Sequence, residues 1–579
     1  MSENLFKKEW HISFLTKFQN SLANFGLAEK IIFAILFAAF SISALFLVKK
    51  ATEVFLVETP ASGGSLTEGV VGSVGMINPL LAISDADRDL TAVIYSGLLK
   101  AAPNGALSGD LAKDWNVSID GLTYTFMLKN DIFFQDGAPV TADDVLFTVQ
   151  KAQDPSLKSP KRANWEGVTA EKIGVNQIKF TLKQPYSSFL ENATLGILPK
   201  HLWKDIDPEQ FSFSQYNVAP VGSGPFEIGA VKKNSGGLPI AYELKSFKKY
   251  ALGRPLLNKL TFRFFNSEEA LLAAFNGGEV ESMSAIAPAT AEMLKKRKVR
   301  VEQTPLPRIF ALFFNQSQAP IFANPEVRKA LAMTVDRFEI VDEVLGGYGT
   351  EIFGPLPPGI LPATTAPDNS MATDTAALAE SLLIKNGWKK NSGGIFEKKS
   401  KKETLTLVFA ITTSSAPELK KTAEILKASW TKIGADVSLR VFDPGELNQV
   451  VIRPRKYDAL LFGEIIGRDP DLFAFWHSSQ RNDPGLNIAL YTNIKADRLL
   501  EEARTIADQN ERLQKYAAFN EEIKKDLPAI FLYSPDFMYV LPEKIKGFAF
   551  GRVTTPSDRF ANVNQWYVET EKVWKIFSD

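Results

Sequence analysis

The chain contains no cysteine. Disulfides, thiolate metal sites, a cysteine nucleophile and an N-terminal lipid carried on cysteine are therefore excluded. Histidine is nearly as scarce, with three residues in 579: His11, His201 and His477. There is no HExxH, no G-x-S-x-G elbow and no P-loop, and Ser223 stands in a Gly-Ser-Gly-Pro bend. A Ser–His hydrolase has no support in this inventory, so neither an enzyme nor a cofactor is expected. Charge of one sign is also missing. Sixty-six Lys and Arg balance 66 Asp and Glu, for a formal net charge of +0. With no basic stripe, a nucleic-acid partner is not expected.

What is present is a globular composition, 45% apolar and 23% charged, in a chain too long for one core. Two or three domains are expected. Ile31 to Val48 is a run without charge, flanked by Lys30 on one side and Lys49 and Lys50 on the other. As a helix it rises about 27 Å, near the thickness of a bilayer's hydrocarbon core. A buried core helix and a cleaved signal peptide are the alternatives. The run exceeds a usual signal h-region, follows a long leader, and has only Ser41 and Ser43 as weak cleavage-site residues. It reads as an uncleaved signal anchor. Lys7, Lys8, Lys17 and Lys30 precede it, which predicts a cytoplasmic N-terminus, a single membrane pass and an extracytoplasmic body. Phe6, Trp10, Phe14, Phe18, Leu22 and Phe25 recur at near-helical spacing and predict an amphipathic tail over residues 1–30, lying on the inner membrane surface. Pro60, Gly63 and Gly64 mark 49–65 as a linker.

The body mixes hairpins with strand–helix–strand units, an α/β class with α+β elements. Asp120-Gly121 is a hairpin turn, followed by alternating Tyr124, Phe126 and Leu128. Thr141 with Asp144 forms a capping box before Val145, Leu146 and Val149. Gly222, Gly224 and Pro225 predict a tight bend against a neighbour. Leu405–Ile411, Val437–Phe442 and Tyr457–Phe462 read as strands, and Glu418–Ile433 as an amphipathic helix. The charge run Lys398–Lys402 reads as a solvated hairpin loop.

The segment LAKDWNVSIDGLTYTFMLKNDIFFQDGAPVTADDVLF, Leu111 to Phe147, closely resembles the family 5 solute-binding proteins of bacterial ABC importers, which include oligopeptide, dipeptide and nickel binders. INPL (77–80), IYSGLL (94–99), ILPKH (197–201), VGSGPFEI (221–228), AAFNGGEVES (273–282), LFFN (312–315) and VRKALAMTVDR (327–337) follow the family's order. The resemblance implies a two-lobed periplasmic-binding-protein clamshell with an extra subdomain. It places lobe I at 66–304 plus 541–579, the subdomain at about 85–185, and lobe II at 305–540. The function it implies is peptide capture between the lobes by a membrane-anchored, monomeric protein and delivery to ABC permease subunits. A nickel, haem or other small-solute binder and a non-transport sensory or adapter lobe remain open.

In peptide-binding relatives an acidic residue before a DP-type turn pairs with the peptide's amino group. The resemblance therefore points to Glu464 in LLFGEIIGRDPDLFAFW, with Asp469 as the alternative. Asn487 and Tyr491 resemble a loop facing the cleft, and Trp165 an aromatic that closes over ligand. Ser84 and Asp85 belong to a segment offering backbone groups to a peptide, and Arg308 is a candidate carboxylate partner. No metal ligands are assigned.

Overall fold

A computed structural model describes residues 25–102, 105–361, 375–399, 403–506 and 508–575. Residues 1–24 of the expected amphipathic tail and residues 400–402 of the expected lysine-rich loop lie outside the described residues. The chain divides into two units, Met1–Ala61 with Glu569–Asp579, and Ser62–Val568.

In the first unit a helix spans Leu27–Phe55. Its Leu27–Leu47 stretch has a mean hydropathy of 2.3 and is not buried, so it is long and apolar enough to cross a membrane. The helix runs through Lys49 and Lys50, and the strand Leu56–Pro60 follows it directly. That strand pairs antiparallel with Thr570–Trp574, from Leu56 opposite Trp574 to Pro60 opposite Thr570. Much of the span read as a linker is thus regular structure, and Thr570–Trp574 pairs with its strand. The reason is a backbone ladder between segments about as far apart as this chain allows, which no local composition announces.

The second unit holds two lobes that share one long strand. Ala529–Val540 pairs through its first half with Arg308–Phe314, and through its second half with Val301–Pro305 and Ser282–Ser284. Twelve residues extend about 40 Å, enough to run from one lobe into the other. The chain passes between lobes a second time at Leu306-Pro307, beside Ser534-Pro535. There Leu306 N–H donates to Pro535 O at 3.1 Å, and the Ser534 hydroxyl donates to Leu306 O at 2.7 Å.

On the first-lobe side the strand order continues through Ser65–Val71, Lys259–Phe265, Pro239–Ser246 and Phe226–Lys233. A separate four-stranded antiparallel sheet, Ala112–Val117, Thr123–Leu128, Gln177–Thr181 and Thr169–Gly174 in that pairing order, forms the subdomain. Its hairpin turns at Gly121, whose φ of 67° suits glycine. Tyr124, Phe126 and Leu128 point into the core as their alternation predicts. The Asp144 carboxylate accepts from Thr141 N–H at 2.9 Å and from Lys200 N–H at 2.9 Å, so the predicted capping box opens the Ala142–Gln153 helix. At the predicted bend, Gly224 N–H donates to Ile94 O at 2.8 Å, and a Cβ on Gly222 would collide with that same carbonyl.

The first-lobe core is tied by a wholly buried ion cluster. Arg559 donates to Glu68 Oε1 at 2.9 Å and to Asp89 Oδ2 at 2.6 Å, and Tyr539 Oη donates to Glu68 at 2.9 Å. Burial pushes the Asp89 carboxyl up to about 6 against the pull of Arg559.

In the second lobe, Arg308–Phe314 lies between Ala459–Ile465 and the long strand. Ile309, Ala311 and Phe313 face one apolar core, Leu312 and Phe314 the other. This period of two, with both faces packed, marks a central strand of an α/β sheet. Helices Pro417–Lys432 and Gln509–Asp526 contribute to opposite cores, through Leu426 and Trp430 on one side and Tyr516 and Phe519 on the other.

Candidate functional site

Where the lobes face each other, two adjoining cavities of about 470 and 360 Å³ share walls, including Thr91, Lys161, Asn164, Glu191 and Ser557. The first lobe supplies the helix Asp85–Ile94, the 161–165 turn, the Glu191–Gly196 segment and the 554–558 turn. The second lobe supplies Arg308, Ile465, Gly467, Arg468 and Asp469. Arg308 opens its strand and stands opposite Ile465, which closes the neighbouring strand. Antiparallel pairing therefore brings both to the sheet end that meets the first lobe.

Direct bonds cross this interface. Arg468 Nη1 donates to Glu191 Oε2 at 3.1 Å and its Nη2 to Asp558 Oδ2 at 3.2 Å. Ser187 N–H donates to Arg504 O at 2.9 Å, and the Arg504 guanidinium lies 5.1 Å from the Tyr186 ring centre. Burial raises the Glu191 carboxyl, and burial lowers the Arg308 guanidinium from its ordinary value.

The cavity walls also gather buried polar atoms that no protein group satisfies: Thr91 Oγ1, Tyr95 Oη, Arg308 Nε, Arg468 Nε, Asp469 Oδ1 and Thr554 Oγ1. Buried polar groups are nearly always hydrogen-bonded, so unsatisfied donors and acceptors on residues lining these two adjoining cavities mark a place where a polar solute can complete them. Among the described residues, no group of three or more His, Asp or Glu is placed to hold a metal ion.

The residues singled out in the sequence fall into two sets. Arg308, Asp469 and Trp165 line the cavities. Asp469 is 3.2 Å from Arg512 through Oδ2, which leaves Oδ1 unused. Trp165 is 2% exposed and packs with Phe180 and Phe189 at 5.4 and 5.6 Å between ring centres. Ser84 caps the cavity-wall helix by accepting from Asp87 N–H at 3.1 Å, and Asp85 begins that helix 3.8 Å from Arg88.

Ser84 and Asp85 themselves line neither cavity, and Asn487, Tyr491 and Glu464 also lie off both. Asn487 bonds to the carbonyls of Trp476, His477 and Tyr491 and accepts from Tyr491 N–H, so its amide staples its own loop. Tyr491 Oη donates to Asp526 at 2.7 Å. Glu464 shares the face of its strand with Leu460, is 4% exposed and has no hydrogen-bond partner on either oxygen; burial holds its carboxyl well above the ordinary range. Arg468, Glu191 and Asp558 were not singled out in the sequence. Arg468 stands directly before Asp469, but its partners are 277 and 90 residues away, and nothing local signals that pairing.

The profile for bacterial extracellular solute-binding proteins, family 5 Middle, matches residues 106–485. The oligopeptide-binding protein AppA of Bacillus subtilis (strain 168) is 28% identical over 517 residues, covering 88% of this chain and 92% of that protein. The probable D,D-dipeptide-binding periplasmic protein DdpA of Escherichia coli (strain K12) is 25% identical over 500 residues, 82% of this chain and 89% of that one. The structure of B. subtilis AppA in complex with a nonapeptide superposes with a TM-score of 0.68 at 26% identity, covering 88% of this chain and 100% of that chain. NikZ from Campylobacter jejuni in complex with Ni(L-His) superposes with a TM-score of 0.69 at 28% identity, covering 87% and 99%. With more than half its length matched by the profile, this chain belongs to the family 5 bacterial extracellular solute-binding proteins.

Proposed function

We propose that the protein captures peptides in the cavity between its lobes and delivers them to the permease of an ABC importer, without chemistry of its own. The helix Leu27–Phe55 holds it in the cell membrane with the body on the extracytoplasmic side, where tethering keeps it at high effective concentration near the permease. The observation that carries this reading is the set of six unsatisfied buried polar atoms on the cavity walls. It mixes donors with acceptors, as the alternating C=O and N–H groups of a peptide require. Relatives named for oligopeptide and dipeptide binding point to the same class of solute. In this reading Arg308 meets a ligand carboxylate or carbonyl, Asp469 Oδ1 meets an ammonium or N–H, and Trp165 backs the ligand with an apolar wall. Asn487, Tyr491 and Glu464 shape the second lobe without touching ligand.

Native mass spectrometry of the full chain released from detergent tests the reading. Bound masses that fragment into short peptides support it. A single nickel-chelate or other non-peptide mass keeps the fold and replaces the solute class. No bound mass, together with a flat thermal response to a peptide library, favours the adapter alternative.

A further inference from the structure

The Arg468 side chain is one point where the second lobe grips the first. Its residue is 9% exposed, and its two terminal nitrogens bond to carboxylates of two separate first-lobe segments. One of those carboxylates is itself fixed. Asp558 Oδ2 also accepts from the N–H groups of Thr554 and Thr555, at 2.6 and 3.1 Å. The guanidinium therefore docks on a pre-set acceptor, and opening the cleft must break both contacts. Nε, the third donor position of the same planar fork, is buried without a partner on a residue that lines the cavity. Next to it in sequence, Asp469 presents an equally unsatisfied acceptor, Oδ1, on the same cavity. One donor and one acceptor on adjacent residues of one cavity wall match the C=O and N–H of a peptide or carboxamide unit.

We infer that Arg468 is a ligand-reading latch: it closes the second lobe onto Glu191 and Asp558 with its Nη atoms and offers Nε–H to a carbonyl or carboxylate oxygen of the solute. Closure and recognition then meet in one side chain, so a ligand that satisfies Nε favours the shut form over the open one. The latch half stands on the protein's own contacts. The recognition half rests on the peptide reading above.

The absence of cysteine makes a distance measurement direct. Ile119→Cys and Lys420→Cys place spin labels on exposed positions of the subdomain and of the second-lobe helix in the full chain. Pulsed dipolar spectroscopy then reads the ratio of short to long separations. Arg468→Gln should lower that ratio about tenfold, Glu191→Gln should move it in the same direction, and the two together should change it less than the sum of the separate effects. Distributions identical to the parent in both single variants overturn the latch. For recognition, the probe is a library of unblocked tri- to nonapeptides. Arg468→Lys, which keeps the charge and loses Nε–H, should bind library members about tenfold more weakly while retaining part of the closure. Affinity equal to the parent overturns the Nε role. A library that shifts neither the distances nor the unfolding temperature of the parent sinks the peptide reading, and the ligand-free comparison still decides the latch.

Discussion

Glu464 illustrates how one side chain can be held against its own chemistry. Its carboxyl is buried beside an apolar strand face with neither oxygen bonded, and desolvation alone raises its pKa. In the unfolded chain it ionises in the ordinary glutamate range. Its contribution to stability is therefore fully present below about pH 4.5 and is lost as pH rises toward the raised folded value. Glu464→Gln should leave stability unchanged near pH 4 and raise the unfolding temperature progressively at neutral pH and above. Peptide affinity should stay the same, and a selective loss for free-amine peptides would restore Glu464 as the ammonium partner. Arg559 is the opposite case, a buried charge whose partners are complete. Arg559→Met strands Glu68 and Asp89 together in the core and should destabilise the first lobe by about 3–5 kcal/mol in denaturant unfolding. Adding Glu68→Gln and Asp89→Asn should recover much of the loss, because no uncompensated charge then remains. Arg559, Glu68 and Asp89 drew no notice in the sequence, since burial and partnership are properties of the folded neighbourhood.

Elements were far more legible than contacts. Glu418–Ile433 was expected as a helix and forms as Pro417–Lys432; Val437–Phe442 forms within Asp436–Phe442. Their apolar spacing encodes which face is buried, and that face packs as expected through Leu419, Ala423, Leu426 and Trp430. The capping box at Thr141 was equally readable, because both of its partners lie within one turn. Asp144→Ala should cost about 1–2 kcal/mol, since it removes the cap acceptor and also frees Lys200 N–H; equilibrium unfolding of the full chain measures it. The span 49–65 shows where local reading stops. Its Pro and Gly content suggested a tether, while Leu56–Pro60 is recruited into a ladder by Thr570–Trp574, with Thr59 Oγ1 reaching Glu571 O across 512 positions of sequence. Turn-forming residues raise the odds of an irregular segment, but a backbone partner overrides them.

At the scale of the whole molecule, the lobes are joined by two neighbouring crossings, at Leu306-Pro307 and Ser534-Pro535. Proline at both crossings leaves each without one backbone ladder donor. A ligand bound between the lobes should stabilise the body by mass action, about 2.7 kcal/mol at a hundredfold excess over Kd, and thermal unfolding across a peptide series should rank with affinity. Removing residues 1–61 and 569–579 should yield a body, Ser62–Val568, that sediments as a monomer; a dimer or larger species would overturn that expectation. The sequence by itself determined the membrane-length helix, the strand and helix periodicities, the turns and the family, because each is written within a few tens of residues. Only the tertiary structure decided which polar groups face the cavity, that Glu464 lies off it, and that Arg468 reaches Glu191 and Asp558. Those outcomes depend on strands from distant parts of the chain setting two lobes face to face, and a side chain's partners are known only when its neighbours in space are.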